Sequence, residues 1–175
     1  VINVVTGPGA EVGDALVTHP DVSKVAFTGS TEVGRKIMAQ AAGTVKKVTL
    51  ELGGKAPAIV LPDVDLEVAI PGILLGVFFH SGQVCEASTR LIVHESIYDI
   101  VVHQLAETSK KIKLGQPLDM ATGMGPVISE SQMNKILDYI QSGIDEGARL
   151  VCGGKRATEP GLENGFFIEP TIFAD

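Results

Sequence analysis

The sequence predicts an α/β fold in two parts, a parallel-sheet portion followed by a second α/β domain. Three observations predict it. Short β-branched segments alternate with helix-like segments through the first part of the chain. The first two strand-like segments each end in a loop of glycine or small hydroxyl residues that leads into a helix. At Leu52-Gly53-Gly54 two adjacent glycines permit a sharp change of direction, and the rhythm changes beyond them. Residues 1–51 are therefore assigned to the first part and residues 52–175 to the second.

Ile2 to Val5 is short and β-branched, and Gly7-Pro8-Gly9 ends it, so a strand is expected there. A short helix follows over Val12 to Thr18, with Ala15 and Leu16 facing inward. His19-Pro20 closes it, because a residue before proline avoids the helical region. Val25 to Phe27 is the second strand. The next helix runs from Glu32 to Ala42, with Ser30 or Thr31 as its cap, Glu32 in its first turn and Gly43 at its stop. Val48 to Leu50 is the third strand, and it runs into Glu51-Leu52-Gly53-Gly54.

Past the glycines, Ala58 to Leu61 reads as a strand, and Asp65 caps a helix reaching Phe79. Arg90 to His94 is another strand. Ser96 to Lys113 reads as a long amphipathic helix with Ile97, Ile100, Val101, Leu105 and Ile112 on its apolar side. Gly115 to Met124 is a connection. Ser129 to Glu146 is a helix with Met133, Ile136, Leu137 and Ile140 at helical spacing. Ala148 to Cys152 and Phe166 to Phe173 are strand-like segments around a glycine-rich loop. There are no internal repeats.

Composition limits the function classes. An apolar fraction of 45% and a charged fraction of 20% are those of a soluble globular protein. The net charge of −7 comes from 14 basic and 21 acidic residues, with no basic run to bind nucleic acid or an anionic membrane surface. The apolar stretch Val68 to Phe79 is shorter than the ~20 residues of a spanning helix, and Pro71, Gly72 and Gly76 interrupt it. Cys85 and Cys152 make no disulfide framework, and both thiols are expected to be reduced. A cytoplasmic location is expected. The chain opens in the middle of a strand-like run without an initiator Met, which points to a piece of a longer protein.

Cys85 is the first candidate for chemistry. A thiol attacks well only as thiolate or beside a base. This one follows an apolar helix and Gly82, which would let substrate or backbone come close. Taken alone, a single cysteine reads first as a structural thiol, and Cys152, at the end of a core strand, is left in that role. Glu51 sits where an apolar strand meets the Gly-Gly turn. There a carboxylate can be partly desolvated and so become a general base, or it can simply be a solvated strand end. Two loops, Thr6 to Gly13 and Phe27 to Gly34, each follow a strand and open a helix, a setting that favours phosphate. Neither spells the full G-x-G-x-x-G fingerprint. His19, His80, His94 and His103 have no metal-ligand spacing, and no metal site is expected.

Three segments, in order, carry a resemblance. Phe27-Thr28-Gly29-Ser30-Thr31-Glu32-Val33-Gly34, then Leu50-Glu51-Leu52-Gly53-Gly54-Lys55, then Gly82-Gln83-Val84-Cys85 with Arg90 beyond, resemble the motifs of the aldehyde dehydrogenase superfamily near their usual spacing. The similarity covers essentially the whole chain. It implies the end of a Rossmann-like dinucleotide-binding domain joined to part of a catalytic domain. It also implies an NAD(P)-dependent oxidoreductase that converts an aldehyde to a carboxylic acid, with NAD favoured over NADP.

The resemblance further implies residue roles. Cys85 attacks the aldehyde carbon to give a thiohemiacetal, and hydride transfer leaves a thioester. Glu51 activates the water that hydrolyses it. The backbone N–H of Cys85 supplies half of an oxyanion hole. Gly29 and Ser30 match the loop near the pyrophosphate and nicotinamide, Val33 the helix near the adenine, and Gly9 the preceding loop. Leu52 meets the nicotinamide amide through its backbone. Gln132 and Lys135 match positions that approach a cofactor ribose, although a solvated helix charge is the other reading of Lys135. The presence of Glu51 favours hydrolysis over transfer to coenzyme A. His80 stands where the family often has asparagine.

Other expected parts are not in this sequence. They are the family's oxyanion asparagine, ribose-binding lysine and second ribose-binding glutamate, the residues that choose NAD or NADP, and the dimer-building segment. The segment alone is therefore expected to be inactive, and the parent to be a homodimer or homotetramer acting on a small-molecule aldehyde. The alternatives are a non-catalytic structural or binding relative, and a semialdehyde, reductive or acylating dehydrogenase.

Overall fold

Strand pairing begins at Lys24–Gly29 (β1), which lies parallel to Lys47–Leu52 (β2) in the computed structural model, where all of residues 1–175 are described. The two strands are joined by a right-sized crossover, the helix Thr31–Ala42 (α2), as a parallel pair requires. Ser30 begins this helix with its side chain accepting from the Val33 amide at 3.2 Å. That satisfies one of the amides that the first turn leaves without a partner. Ile37 and Ala41 of α2 are buried with Val17, against Val25, Phe27, Val48 and Leu50 of the strands. This first unit runs from Val1 to Gly54.

Two expectations for the first unit are corrected. Ile2 to Val5 forms no strand: it pairs with nothing, and the sheet of this unit consists of β1 and β2. β-branched residues favour extended backbone, but a strand exists only with a partner. The helical segment that follows opens as a π-turn over Gly9–Gly13 and continues as Asp14–Thr18 (α1). Its inward residue is Val17, whereas Ala15 and Leu16 are exposed. With so few turns the sequence period hardly constrains which side faces the sheet.

The second unit, Lys55–Asp175, opens with another parallel pair, Pro57–Val60 (β3) and Arg90–Val93 (β4). Between them lies Leu66–Phe78 (α3), capped by the Asp65 carboxylate, which accepts from the Glu67 amide at 2.9 Å. The helix continues through Pro71 rather than breaking there. Val60, Ile70 and Leu74 form a core with Val101 and Leu105 of Tyr98–Ser109 (α4).

The expected helix Ser96 to Lys113 is shorter than its apolar spacing predicted. A 3-10 turn, Glu95–Ile97, precedes α4, and turns replace helix after Ser109. Ile100, expected inside, is 48% exposed.

The helix Glu130–Asp145 (α5) is capped by Ser129, whose hydroxyl accepts from the Gln132 amide at 3.2 Å. Met133 and Ile140 are buried, with Ile136 and Leu137 packed around them. Arg149–Cys152 (β5) pairs antiparallel with Ile172–Ala174 (β6), a shorter strand than the expected Phe166 to Phe173. Phe167 is buried in a small cluster with Ala157 and Leu162 instead. No helix is long and apolar enough to cross a membrane.

Candidate active site

The first unit places its candidate residues at the carboxyl ends of β1 and β2. The register sets Thr28 beside Glu51 and Gly29 beside Leu52. Parallel α/β sheets bind ligands outside this edge. The α2 N-terminus begins at the same edge, so Ser30 and Val33 lie one turn from Gly29. Gly34 seals the corner: a Cβ there would come within 2.8 Å of a Leu52 methyl. Gly29, Ser30, Val33, Glu51 and Leu52 are thereby gathered at one place.

Two glycines have different reasons to be glycine. A Cβ at Gly29 would collide with the ring of Phe27, two residues back on the same strand. At Gly9, on the π-turn, a Cβ would meet nothing within 4 Å. Glu51 is exposed, so the desolvation expected of a general base is not supplied by this unit's residues.

Cys85 belongs to the second unit, on the exposed segment that follows α3. The chain reaches it through an unusual backbone. His80 (φ 48°), Ser81 (φ 59°) and Gly82 (φ 75°) are three consecutive left-handed residues, only one of them glycine. For a residue with a Cβ this conformation costs about 1–2 kcal/mol. Gly82 is therefore a backbone requirement, and its Cβ would be in ordinary contact only, 3.5 Å from the Val77 carbonyl oxygen.

Side chains hold the run in place. The Ser81 hydroxyl donates to the Gly125 carbonyl at 2.8 Å, with the Pro126 carbonyl at 3.4 Å. The Gln83 side-chain carbonyl accepts from the Ile128 amide at 3.0 Å, while its amide donates back to the His80 carbonyl at 3.1 Å. The loop before Cys85 is thus tied to the segment that leads into Ser129 and α5. Gln132 and Lys135 lie in the first turns of α5, the former half-buried and the latter exposed.

The thiol itself donates to the Glu86 carboxylate at 2.6 Å. That hydrogen bond, with the carboxylate's charge, pushes the Cys85 thiol above its ordinary range and holds Glu86 below the usual carboxylate range. Glu86 was missed in the sequence, although an acidic residue directly after a candidate nucleophile is a readable signal. Ser81 was missed as well, and no local pattern marks it. Cys152 is buried, with its sulfur 3.3 Å from the Ser109 hydroxyl, as its core-strand position predicted.

A family model described as the aldehyde dehydrogenase family matches residues 1–175. The chain is 51% identical, over all of its length, to the betaine aldehyde dehydrogenase of Bacillus subtilis (strain 168), and 52% identical to that of Brucella ovis. It spans about a third of those relatives, 36% of each. Among solved structures, betaine aldehyde dehydrogenase of Staphylococcus aureus in complex with NAD+ superposes with a TM-score of 0.93 at 46% identity, covering 97% of this chain and 34% of that one.

Proposed function

The chain belongs to the aldehyde dehydrogenase family, and from this we propose that the full-length protein oxidises an aldehyde to a carboxylic acid with NAD+, using Cys85 as nucleophile and Glu51 as the base for hydrolysis. The observation that carries the proposal is the family match across residues 1–175, with all three sequence motifs inside it. Residues 1–51 would then be the end of the dinucleotide-binding domain and residues 52–175 part of the catalytic domain.

The first unit fits an NAD molecule in donor type. The amides of Thr31 and Glu32 at the start of α2 have no intrahelical acceptor, and such amides favour a pyrophosphate. Gly29 and Ser30 would let that group approach the strand end, Val33 would face the adenine side, and the Leu52 backbone would hold the nicotinamide amide. Gly9, Gln132 and Lys135 complete the proposed cofactor set, the last two toward a ribose.

When bound, the nicotinamide supplies a hydride acceptor. The remaining steps belong to side chains. The Cys85 sulfur bonds to the aldehyde carbon as its proton leaves to a base, and its backbone N–H stabilises the oxygen charge that develops. After the carbon has lost hydride, it is held as a thioester. Glu51 takes a proton from water, the hydroxyl adds to the thioester carbon, and the carbon–sulfur bond breaks to release the acid and restore the thiol. The presence of Glu51 supports water over coenzyme A as acceptor.

The test is single-turnover kinetics on the full-length protein. Cys85→Ala is expected to abolish NADH formation. Glu51→Gln is expected to release about one NADH per site and then stall with an acyl group on Cys85, detectable by mass. Steady turnover by the Cys85→Ala protein would overturn the assignment. A non-catalytic relative of the fold would give no turnover in the unaltered protein either.

A further inference from the structure

We infer that Gln83 is a positioning residue: its side-chain amide clamps the loop that carries Cys85 to the segment before α5, and so aims the Cys85 backbone N–H at the oxygen of a reacting carbonyl. This rests on the reading of Cys85 as the nucleophile. Two observations carry it. The Gln83 side chain bridges two distant pieces of backbone, accepting from the Ile128 amide at 3.0 Å and donating to the His80 carbonyl at 3.1 Å. The Cys85 amide, by contrast, donates to no backbone carbonyl.

The two ends of the loop are held by different means. The exit is held by backbone: Ala87 is buried and donates to the Val84 carbonyl at 3.2 Å, and Ser88 donates to the Gly76 carbonyl at 3.3 Å. The entrance passes through His80, Ser81 and Gly82, all left-handed, a shape that residues with a Cβ do not hold unaided. Side chains fix it there, Ser81 on the Gly125 carbonyl and Gln83 on the Ile128 amide. Val84, Cys85 and Glu86 are strung between Gln83 and Ala87. The position of the Cys85 N–H therefore depends on Gln83 from one side. An uncharged amide offers a donor and an acceptor on one planar head, and asparagine is shorter by one methylene.

A reacting carbonyl puts the clamp to use. When sulfur adds to it, negative charge develops on the oxygen, and a donor stabilises that charge only from the right place. A misplacement of about 1 Å costs on the order of 100-fold in rate. Alkylation of the same thiol builds no charge on an oxygen and follows the thiolate alone. Loss of the clamp therefore slows acylation and spares alkylation, whereas loss of the loop's fold would move both together.

The experiment uses the full-length protein, with p-nitrophenyl acetate as acyl donor and iodoacetamide as alkylating reagent, both read at Cys85 by peptide mass. In the first reaction the Cys85 sulfur bonds to the acetyl carbon, the carbon–oxygen bond breaks to release p-nitrophenolate, and the thiol proton passes to solvent. In the second, the sulfur displaces iodide and the thiol proton again passes to solvent. The ratio of the acylation rate to the alkylation rate cancels any change in thiolate fraction. Gln83→Met keeps the length of the side chain and removes both hydrogen bonds, and the ratio is expected to fall on the order of 100-fold. Gln83→Glu keeps an acceptor for the Ile128 amide but, once ionised, has no donor for the His80 carbonyl, so its ratio should lie between the other two. A ratio unchanged in both variants would overturn the inference and leave Cys85 as the nucleophile. Absence of an acetyl group on Cys85 in the unaltered protein would overturn both.

Discussion

At the scale of single residues, the contact between Cys85 and Glu86 has a measurable signature. The protonated thiol donates to the carboxylate, and the thiolate would face its negative charge, so both effects favour the proton staying on sulfur. The sign follows directly: the midpoint of thiol ionisation lies above the ordinary cysteine value and falls when the carboxylate is removed. Rates of carbamidomethylation against pH are expected to show this, with the Glu86→Gln profile displaced to lower pH and faster labelling near neutrality. Cys152, buried against Ser109, should label slowly at every pH in the native protein. The Glu86 contact was not legible in the sequence, because whether adjacent side chains meet depends on the backbone that carries them. The exposure of Glu51 was not legible either, since burial of a strand-end carboxylate depends on what surrounds the sheet edge and not on the strand.

At the scale of elements, the turn from Phe79 to Gly82 opposes two effects of similar size. Two residues with side chains occupy the left-handed region, and the Ser81 hydrogen bond to the Gly125 carbonyl helps hold them there. Ser81→Ala is expected to lose about 1–2 kcal/mol of stability, because the bond goes and the backbone strain stays. Ser81→Gly loses the same bond but relieves the strain, so it should cost less. Urea unfolding of the two variants reads the difference. If alanine were the milder change, strain at this turn would be absent.

Elements whose ends carry local chemistry were the ones legible beforehand. Ser30, Asp65 and Ser129 each accept a hydrogen bond from an amide in the first turn of the helix they begin. Ile2 to Val5 failed as a strand because pairing is a property of two segments, and the composition of one cannot supply the other. The helix from Ser96 was overextended for a related reason. Apolar residues at helical spacing continue to Ile112, but the backbone after Ser109 turns, and Ile112 reaches its half-buried position from outside the helix.

At the scale of the whole molecule, apolar surface remains uncovered. Ile59 and Ile92 are direct partners in the β3–β4 register, and they are 67% and 54% exposed. A cross-strand pair of this kind normally lies beneath another layer. The relatives are nearly three times as long as this chain, each match covering 36% of them. The 175-residue chain by itself is therefore expected to show no NAD-dependent aldehyde oxidation, since a transition state stabilised by several segments loses orders of magnitude with each one removed. NADH formation by the purified chain, at a rate abolished by Cys85→Ala, would contradict this.

The sheet register carries a consequence for how such a protein is made. β1 finds its partner β2 within the first unit, and β3, β4, β5 and β6 find theirs within the second. No strand waits for a mate across the boundary at Gly54. On the ribosome, where the chain emerges at about 5–20 residues per second, the edge bearing Glu51 can pair as soon as β2 is out. The loop bearing Cys85 waits for Gly125 and Ile128, to which it is tied, and so the thiol is the later of the two groups to be set in place.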